Sequence, residues 1–247
     1  MMLFTAALTA VSCGEKEQKQ TEFDYNVESF ADIQILRYKV DGFDELSLKQ
    51  KTFIYYLNEA ALWGRDILFD QNGRYNLEIR RMLEDFYQNY KGDREDKNFK
   101  GVEEYLKRVW FSNGIHHHYG SDKFVPKFER QWFVEQTKCS EEIAEVIFNP
   151  EVMPKKISLA EGVDLLLASA CNYYQGVTQE EAEAFYAEMK AKGDQTHPVM
   201  YGMNSTLVKG KDGKIYEDVW KVGGKYGQAI SKIVENLKLA RPFAEDA

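Results

Sequence analysis

Cysteine is scarce: the 247 residues hold three, Cys13, Cys139 and Cys171. None stands in a Cys-x-x-Cys or other metal-type spacing, and so few in a chain this long exclude a disulfide-stapled fold. Cys139 precedes a helix-cap signal and Cys171 lies on an apolar helix face, so both read as small core residues rather than reactive thiols. A basic excess is also missing. The formal net charge is −8, whereas a nucleic-acid surface needs cations that displace phosphate counterions; nucleic acid is thereby excluded as a partner. Beyond the first dozen residues no apolar run is long enough to cross a bilayer, and there is no internal repeat. What remains, 44% apolar and 29% charged, suits a globular fold with one good core or two modest ones.

The first residues read as targeting rather than fold. Met1 to Ser12 is a short apolar run ending in small residues, and Ala10-Val-Ser-Cys13 resembles a bacterial lipobox, with Cys13 as the lipid attachment point. The basic residues usual before such a run are missing, and the alternative is an amino-terminal strand or helix with a buried free Cys13. The polar stretch after Cys13 reads as a flexible tether. The expected organisation is a signal peptide over 1–13, a tether over 14–28 and a lobe over 29–247. The location that follows is the bacterial cell envelope, with the protein lipid-anchored on a periplasmic or outer-membrane face and in contact with membrane through the anchor only.

The lobe reads as α+β and predominantly α-helical. Phe30 to Val40 alternates weakly, as an extended segment does. Ser47 with Gln50 is a capping box opening a helix largely buried through Leu48, Phe53, Tyr56, Leu57, Ala60, Leu62 and Trp63. Gly64 to Gly73 reads as a connector. A helix from about Asn76 to Tyr90 follows, and another from Asn98 with Phe99, Val102, Tyr105, Leu106, Val109 and Trp110 at the spacing of a buried stripe. Ser140 caps a helix closed by Asn149-Pro150. Ser158 with Glu161 is a second capping box before an apolar, central helix through Val163 and Ala170, and Thr178 with Glu181 is a third. The sheet signal is late: Asp212-Gly213 between Ser205–Val208 and Lys214–Val222 predicts a β-hairpin near the carboxyl end. A last helix from about Tyr226 to Ala240 turns Ile230, Ile233, Val234 and Leu237 inward.

Chemistry concentrates in Ser112-Asn-Gly-Ile-His-His-His-Tyr-Gly-Ser-Asp-Lys-Phe-Val-Pro126, a loop after a helix that Asn113-Gly114 terminates. Consecutive histidines are poor metal ligands, because in an extended loop only His116 and His118 share a face and His197 is far away. A solvated or hydrogen-bonded role is expected for the trio, with hydrogen bonds to a bound peptide as the functional version. Tyr119 is either a core plug or an aromatic wall for a substrate side chain. Asn113 is either a helix cap or an amide that holds a peptide backbone. Asp122 and Lys123 read as a loop-bracing pair, and Asn204-Ser205 as a strand-initiating turn or part of a sheet edge that accepts a peptide as an added strand.

Ser112, Asn113, Gly114 and the run Tyr119 to Pro126 resemble a segment of the dipeptidyl peptidase III family of zinc metallopeptidases, as it occurs in bacteria. Asn172–Thr178, Tyr201–Lys209 and Gly224–Leu237 resemble further family stretches in the same order. The resemblance implies the amino-terminal, substrate-side portion of an exopeptidase that releases dipeptides from peptide amino termini, with a partial β-barrel element in this lobe. It implies Asn113, His118, Tyr119 and Asn204 as substrate-binding residues and short peptides as partners. The family's His-Glu-x-x-Gly-His motif and later glutamate ligand have no counterpart between Met1 and Ala247. Zinc is therefore expected in the full-length family member and not in this chain, no catalytic residue is assigned, and the missing zinc-binding lobe is the other expected partner. The alternative is a non-catalytic peptide-binding or structural envelope lipoprotein.

Overall fold

A computed structural model describes residues 23–245. The signal peptide, Cys13 and the start of the tether lie outside the described residues. Two compact units divide between Asp44 and Glu45. In the first, strands β1 (Asn26–Phe30) and β2 (Ile33–Leu36) pair antiparallel around a turn in which Ala31 takes a φ of 49°. The tether drawn to residue 28 therefore gives way to a strand at Asn26, and the lobe drawn over 29–247 divides at residue 45.

The second unit is predominantly helical with one small sheet. Its helices are α1 (Leu48–Leu62), α2 (Arg65–Asn72), α3 (Asn76–Asn89), α4 (Lys97–Ser112), α5 (Arg130–Thr137), α6 (Glu141–Phe148), α7 (Leu165–Ala168), α8 (Gln179–Lys192) and α9 (Gly227–Ala240). Strands β3 (Tyr174–Gln175), β4 (Ser205–Lys209) and β5 (Ile215–Val219) form an open sheet in that order. β3 runs parallel to β4, and β4 antiparallel to β5, with Leu207 opposite Glu217. No closed barrel forms among the described residues.

The core sits on α3 to α6. The 3.6-residue period of α4 turns Phe99, Val102, Tyr105, Leu106 and Val109 onto Ile79, Leu83 and Phe86 of α3, Phe133 of α5, and Ile143, Val146 and Ile147 of α6. Burying side chains of this size stabilises by about 1.5–3 kcal/mol each relative to exposure. Asp96 caps α4 by accepting from the Asn98 N–H at 2.8 Å. Gly101 lets the chain after the loop lie against α4, since a Cβ there would stand 2.7 Å from the Lys127 carbonyl oxygen.

Several expectations are corrected. α1 has its capping box, with Ser47 and Gln50 bonded reciprocally, but only Ala60 is buried and Leu48 is 82% exposed. Its apolar residues are spread around the axis rather than confined to one face, so α9 and the turn at Arg241–Phe243 cannot cover them all. Leu237 of α9 and Trp110 of α4 are likewise exposed. The supposed connector after Gly64 is helix α2. Ser158 and Glu161 open no helix: α7 is one turn, capped by Asp164, whose carboxylate accepts from the Leu166 and Leu167 N–H groups at 3.0 Å. Cys171 consequently lies in extended chain, not on a helix face.

Candidate functional site

α4 ends on Asn113, which takes the left-handed conformation itself (φ 53°, ψ 41°). Asn113 thus takes the helix-cap role, one of the two expected of it, and its carbonyl accepts from Asn72 at 3.1 Å. Gly114 is needed for a different reason: its φ is 152°, and a Cβ would collide with the Asn76 amide at 2.3 Å. Buried Asn76 accepts from the Ile115 N–H at 3.3 Å and so seats the start of the loop.

The three histidines separate. His116 is buried, and its Nε2 donates to the Met153 carbonyl at 2.8 Å. Burial depresses its pKa to about 4, against the opposing effect of that hydrogen bond. His117 turns back on the loop, its Nδ1 accepting from the N–H groups of Tyr119 (3.2 Å) and Gly120 (3.0 Å). The turn stacks His117 on His118 with centroids 4.6 Å apart, so adjacent rings do not diverge as an extended loop would require. His118 lies edge-on to Phe111 at 5.0 Å, and burial followed by the neighbouring His117 lowers its pKa. Tyr119 is 86% exposed, which removes the plug reading. Ser121 takes a φ of 63°, strain of the kind that collects at binding loops.

Asp122 and Lys123 do not brace one another. Asp122 pairs with Lys155, whose ammonium lowers the carboxyl pKa. The Lys123 ammonium enters a cage of carbonyls at the end of α6, donating to Val146 at 3.0 Å, to Val152 at 2.6 Å and to Asn149. Charged hydrogen bonds of this kind contribute about 1.5–3 kcal/mol each, so Lys123 locks the loop to the helical core.

From there a backbone ladder leads to the sheet. Lys123 donates to the Pro154 carbonyl at 3.1 Å, and Lys156 to Ser121 at 2.8 Å. Ala170 and Cys171 then donate to Lys155 and Lys156 at 3.0 and 3.1 Å, and Leu207 of β4 donates to Tyr173 at 2.9 Å. Segments 121–123, 154–156 and 170–175 thus precede β4 and β5 as successive neighbours.

A polar hub fastens this ladder to α2 and α9. Asp70 accepts from the Tyr226 hydroxyl and from the Asn172 amide (3.1 Å), with the Lys225 ammonium at 3.6 Å. Burial, and then the hydrogen bond to Asp70, raises the Tyr226 pKa. Lys225 and the Trp220 indole both donate to buried Thr206, at 3.0 and 3.1 Å. On the other sheet face, Glu217 accepts from Ser205 (2.6 Å) and Tyr186 (3.2 Å), tying down α8. Tyr186 has its pKa pushed up to about 12, first by burial.

Asn113, His118 and Tyr119 therefore share the loop, while Asn204 stands at the head of β4, its side chain exposed and its carbonyl accepting from Trp220 at 2.8 Å. Sequence reasoning missed Asp70, set in the supposed connector. It also missed the roles of Asn172, Lys225 and Tyr226, although all three lie in stretches that carry the family resemblance. The histidines do not suit zinc: His116 Nε2 and His117 Nδ1 are engaged, and among the described residues no three His, Cys, Asp or Glu side chains converge as a ligand set. No helix among them is long and apolar enough to cross a membrane. No protein-family model matches the chain, and no curated protein is close enough to count as a relative.

Proposed function

We propose that this chain is the amino-terminal, substrate-side part of a dipeptidyl peptidase III-like zinc exopeptidase, which holds short peptides and does not hydrolyse them by itself. One observation carries the reading. Four stretches that resemble the family, spread over more than a hundred residues, meet in one ladder: Ser121–Lys123, Asn172–Gln175, Ser205–Lys209 and Lys225-Tyr226 around Asp70. Among the described residues no further strand pairs with β5; the Lys225 N–H, donating to the Val219 carbonyl at 3.1 Å, occupies the end of its outer edge, and a peptide added along the rest would gain main-chain hydrogen bonds. Asn204, at the head of the neighbouring β4, is the side chain assigned to contact it, while Tyr119 stands on the loop at the other end of the ladder. Zinc, supplied by the other lobe, would polarise the scissile carbonyl and activate water. A lipid on Cys13 would hold the protein at the envelope.

Calorimetry of the pure chain with tetra- to hexapeptides tests the reading. One peptide should bind per chain, weakened by Asn204→Ala, with no turnover of a dipeptide-amide reporter even when zinc is added. Absence of any binding heat would favour the structural envelope lipoprotein instead.

A further inference from the structure

The outward side of α1 leaves Ile54, Tyr55, Leu57, Leu62 and Trp63 exposed, although α9 already takes the other side. A helix apolar on all sides belongs inside a larger body, and a contiguous apolar surface of this kind marks a docking face. Charge at its carboxyl end says what docks there. A groove of about 470 Å³ runs beside Leu62 and Trp63, and four charged side chains line it: Glu59, Arg65, Asp66 and Arg81. Asp66 is satisfied, by Arg81 at 2.8 Å and by Arg80 at 2.9 Å. Glu59 and Arg65 are not. Neither has an ionic partner among the described residues, and the Arg65 Nε reaches only the Leu62 carbonyl at 3.4 Å. One carboxylate and one guanidinium are thus left over. Trp63 (φ −71°, ψ −15°) and Gly64 (φ −79°, ψ −12°) carry the right-handed backbone on into α2, so Glu59 stands about one turn before Leu62 and Arg65 about one turn after it.

We propose that this face takes a second copy of the same chain, with the two α1 helices antiparallel about a two-fold axis at Leu62 and Glu59 of each copy paired with Arg65 of the other. Across such an axis a residue one turn before Leu62 lies level with the residue one turn after it in the other copy, so each leftover charge meets its opposite and the pair forms twice. Leu62 meets its own mate, and Tyr55 lies on the same side of the helix. A parallel pairing would instead set Glu59 level with Glu59 and Arg65 with Arg65, which like charges oppose. One helical face and two solvent-facing ion pairs make a weak dimer, with a dissociation constant on the order of 10 μM. Peptide binding at the β5 edge does not depend on it.

Sedimentation equilibrium of the full chain from about 1 μM to about 1 mM tests this, with far-UV circular dichroism confirming that each variant is folded. The weight-average mass should rise from one chain towards two across that range. Arg65→Glu, at an exposed position, should weaken association about tenfold by facing Glu59 with a second acid, and Glu59→Arg should do the same. The two together exchange the charges and should return the dissociation constant to within about threefold of the starting value. Leu62→Asp should abolish association. A mass of one chain at every concentration would overturn the proposal and leave the face to a different partner. A dimer indifferent to Arg65→Glu and Leu62→Asp would overturn it by placing the contact elsewhere, and a dimer weakened by both single reversals but not restored by the exchange would overturn the pairing of Glu59 with Arg65.

Discussion

α1 and α4 are of similar length and similarly rich in large apolar residues, yet α4 buries eight residues and α1 one. α4 keeps its apolar side chains on a stripe and meets α3 on that side, with the chain around Phe124 and Phe128 closing over it. α1 carries Phe53, Ile54, Tyr55, Tyr56 and Leu57 in one run that winds around the helix, and α9 with the turn at Arg241–Phe243 covers only part of it. Apolar content sets how much surface can be buried. Period and neighbours decide how much is.

The largest expected effect breaks the helical core. Leu106→Ala should cost about 2–5 kcal/mol through lost burial and a residual cavity, because Leu106 is 1% exposed and surrounded on every side. Leu48→Ala, at 82% exposure on α1, should stay within about 0.5 kcal/mol. Denaturant midpoints of the two variants measure the contrast directly, and equal losses would mean that α1 is as enclosed as α4.

The next effect is a pH dependence at the margin of that core. His116 titrates near 4 when folded, chiefly because burial disfavours its charged form, against 6.5 when unfolded. Between those values the unfolded chain binds a proton that the native one refuses. Stability should therefore fall as pH drops from about 6.5 to 4 and level off below, by roughly 3 kcal/mol in total. His116→Asn, which keeps an amide donor for the Met153 carbonyl, should flatten that part of the pH–stability curve.

Where the sequence was legible, the signal was local. The boxes at Ser47 and Thr178, the cap at Ser140 and the Asp212-Gly213 hairpin all form, because each needs only residues three or four apart. The stripe of α4 was readable for the same reason. Burial of α1 was misjudged because its apolar residues were counted although they wind around the axis, and because what packs against the helix is not encoded locally. The short turn at α7 was misread because the Ser158 hydroxyl serves a local turn, accepting from the Ala160 N–H at 3.4 Å, and an apolar run does not by itself make a helix. In the loop, the residue types were visible but their partners were not. Lys123 finds three carbonyls on and just after α6, and Tyr226 reaches Asp70 from 156 residues away. Contacts of that range leave no mark on spacing.

The smallest effect sharpens the comparison, because the same device stands in both regions. Ser47 caps α1 and Ser140 caps α6, each hydroxyl accepting from the third residue's N–H at 3.2 Å. Alanine at either position should remove about 1 kcal/mol of local stabilisation. α6 is pinned by Ile143, Val146 and Ile147 in the core, so its first turn opens only when the whole unit does, and Ser140→Ala should lower the global midpoint. α1 has no such pins. Ser47→Ala should leave the midpoint almost unchanged and instead speed amide exchange in the turn from Leu48 to Lys51. Hydrogen exchange on both variants distinguishes the outcomes: global loss from Ser47→Ala would show that α1 unfolds with the core despite its exposure.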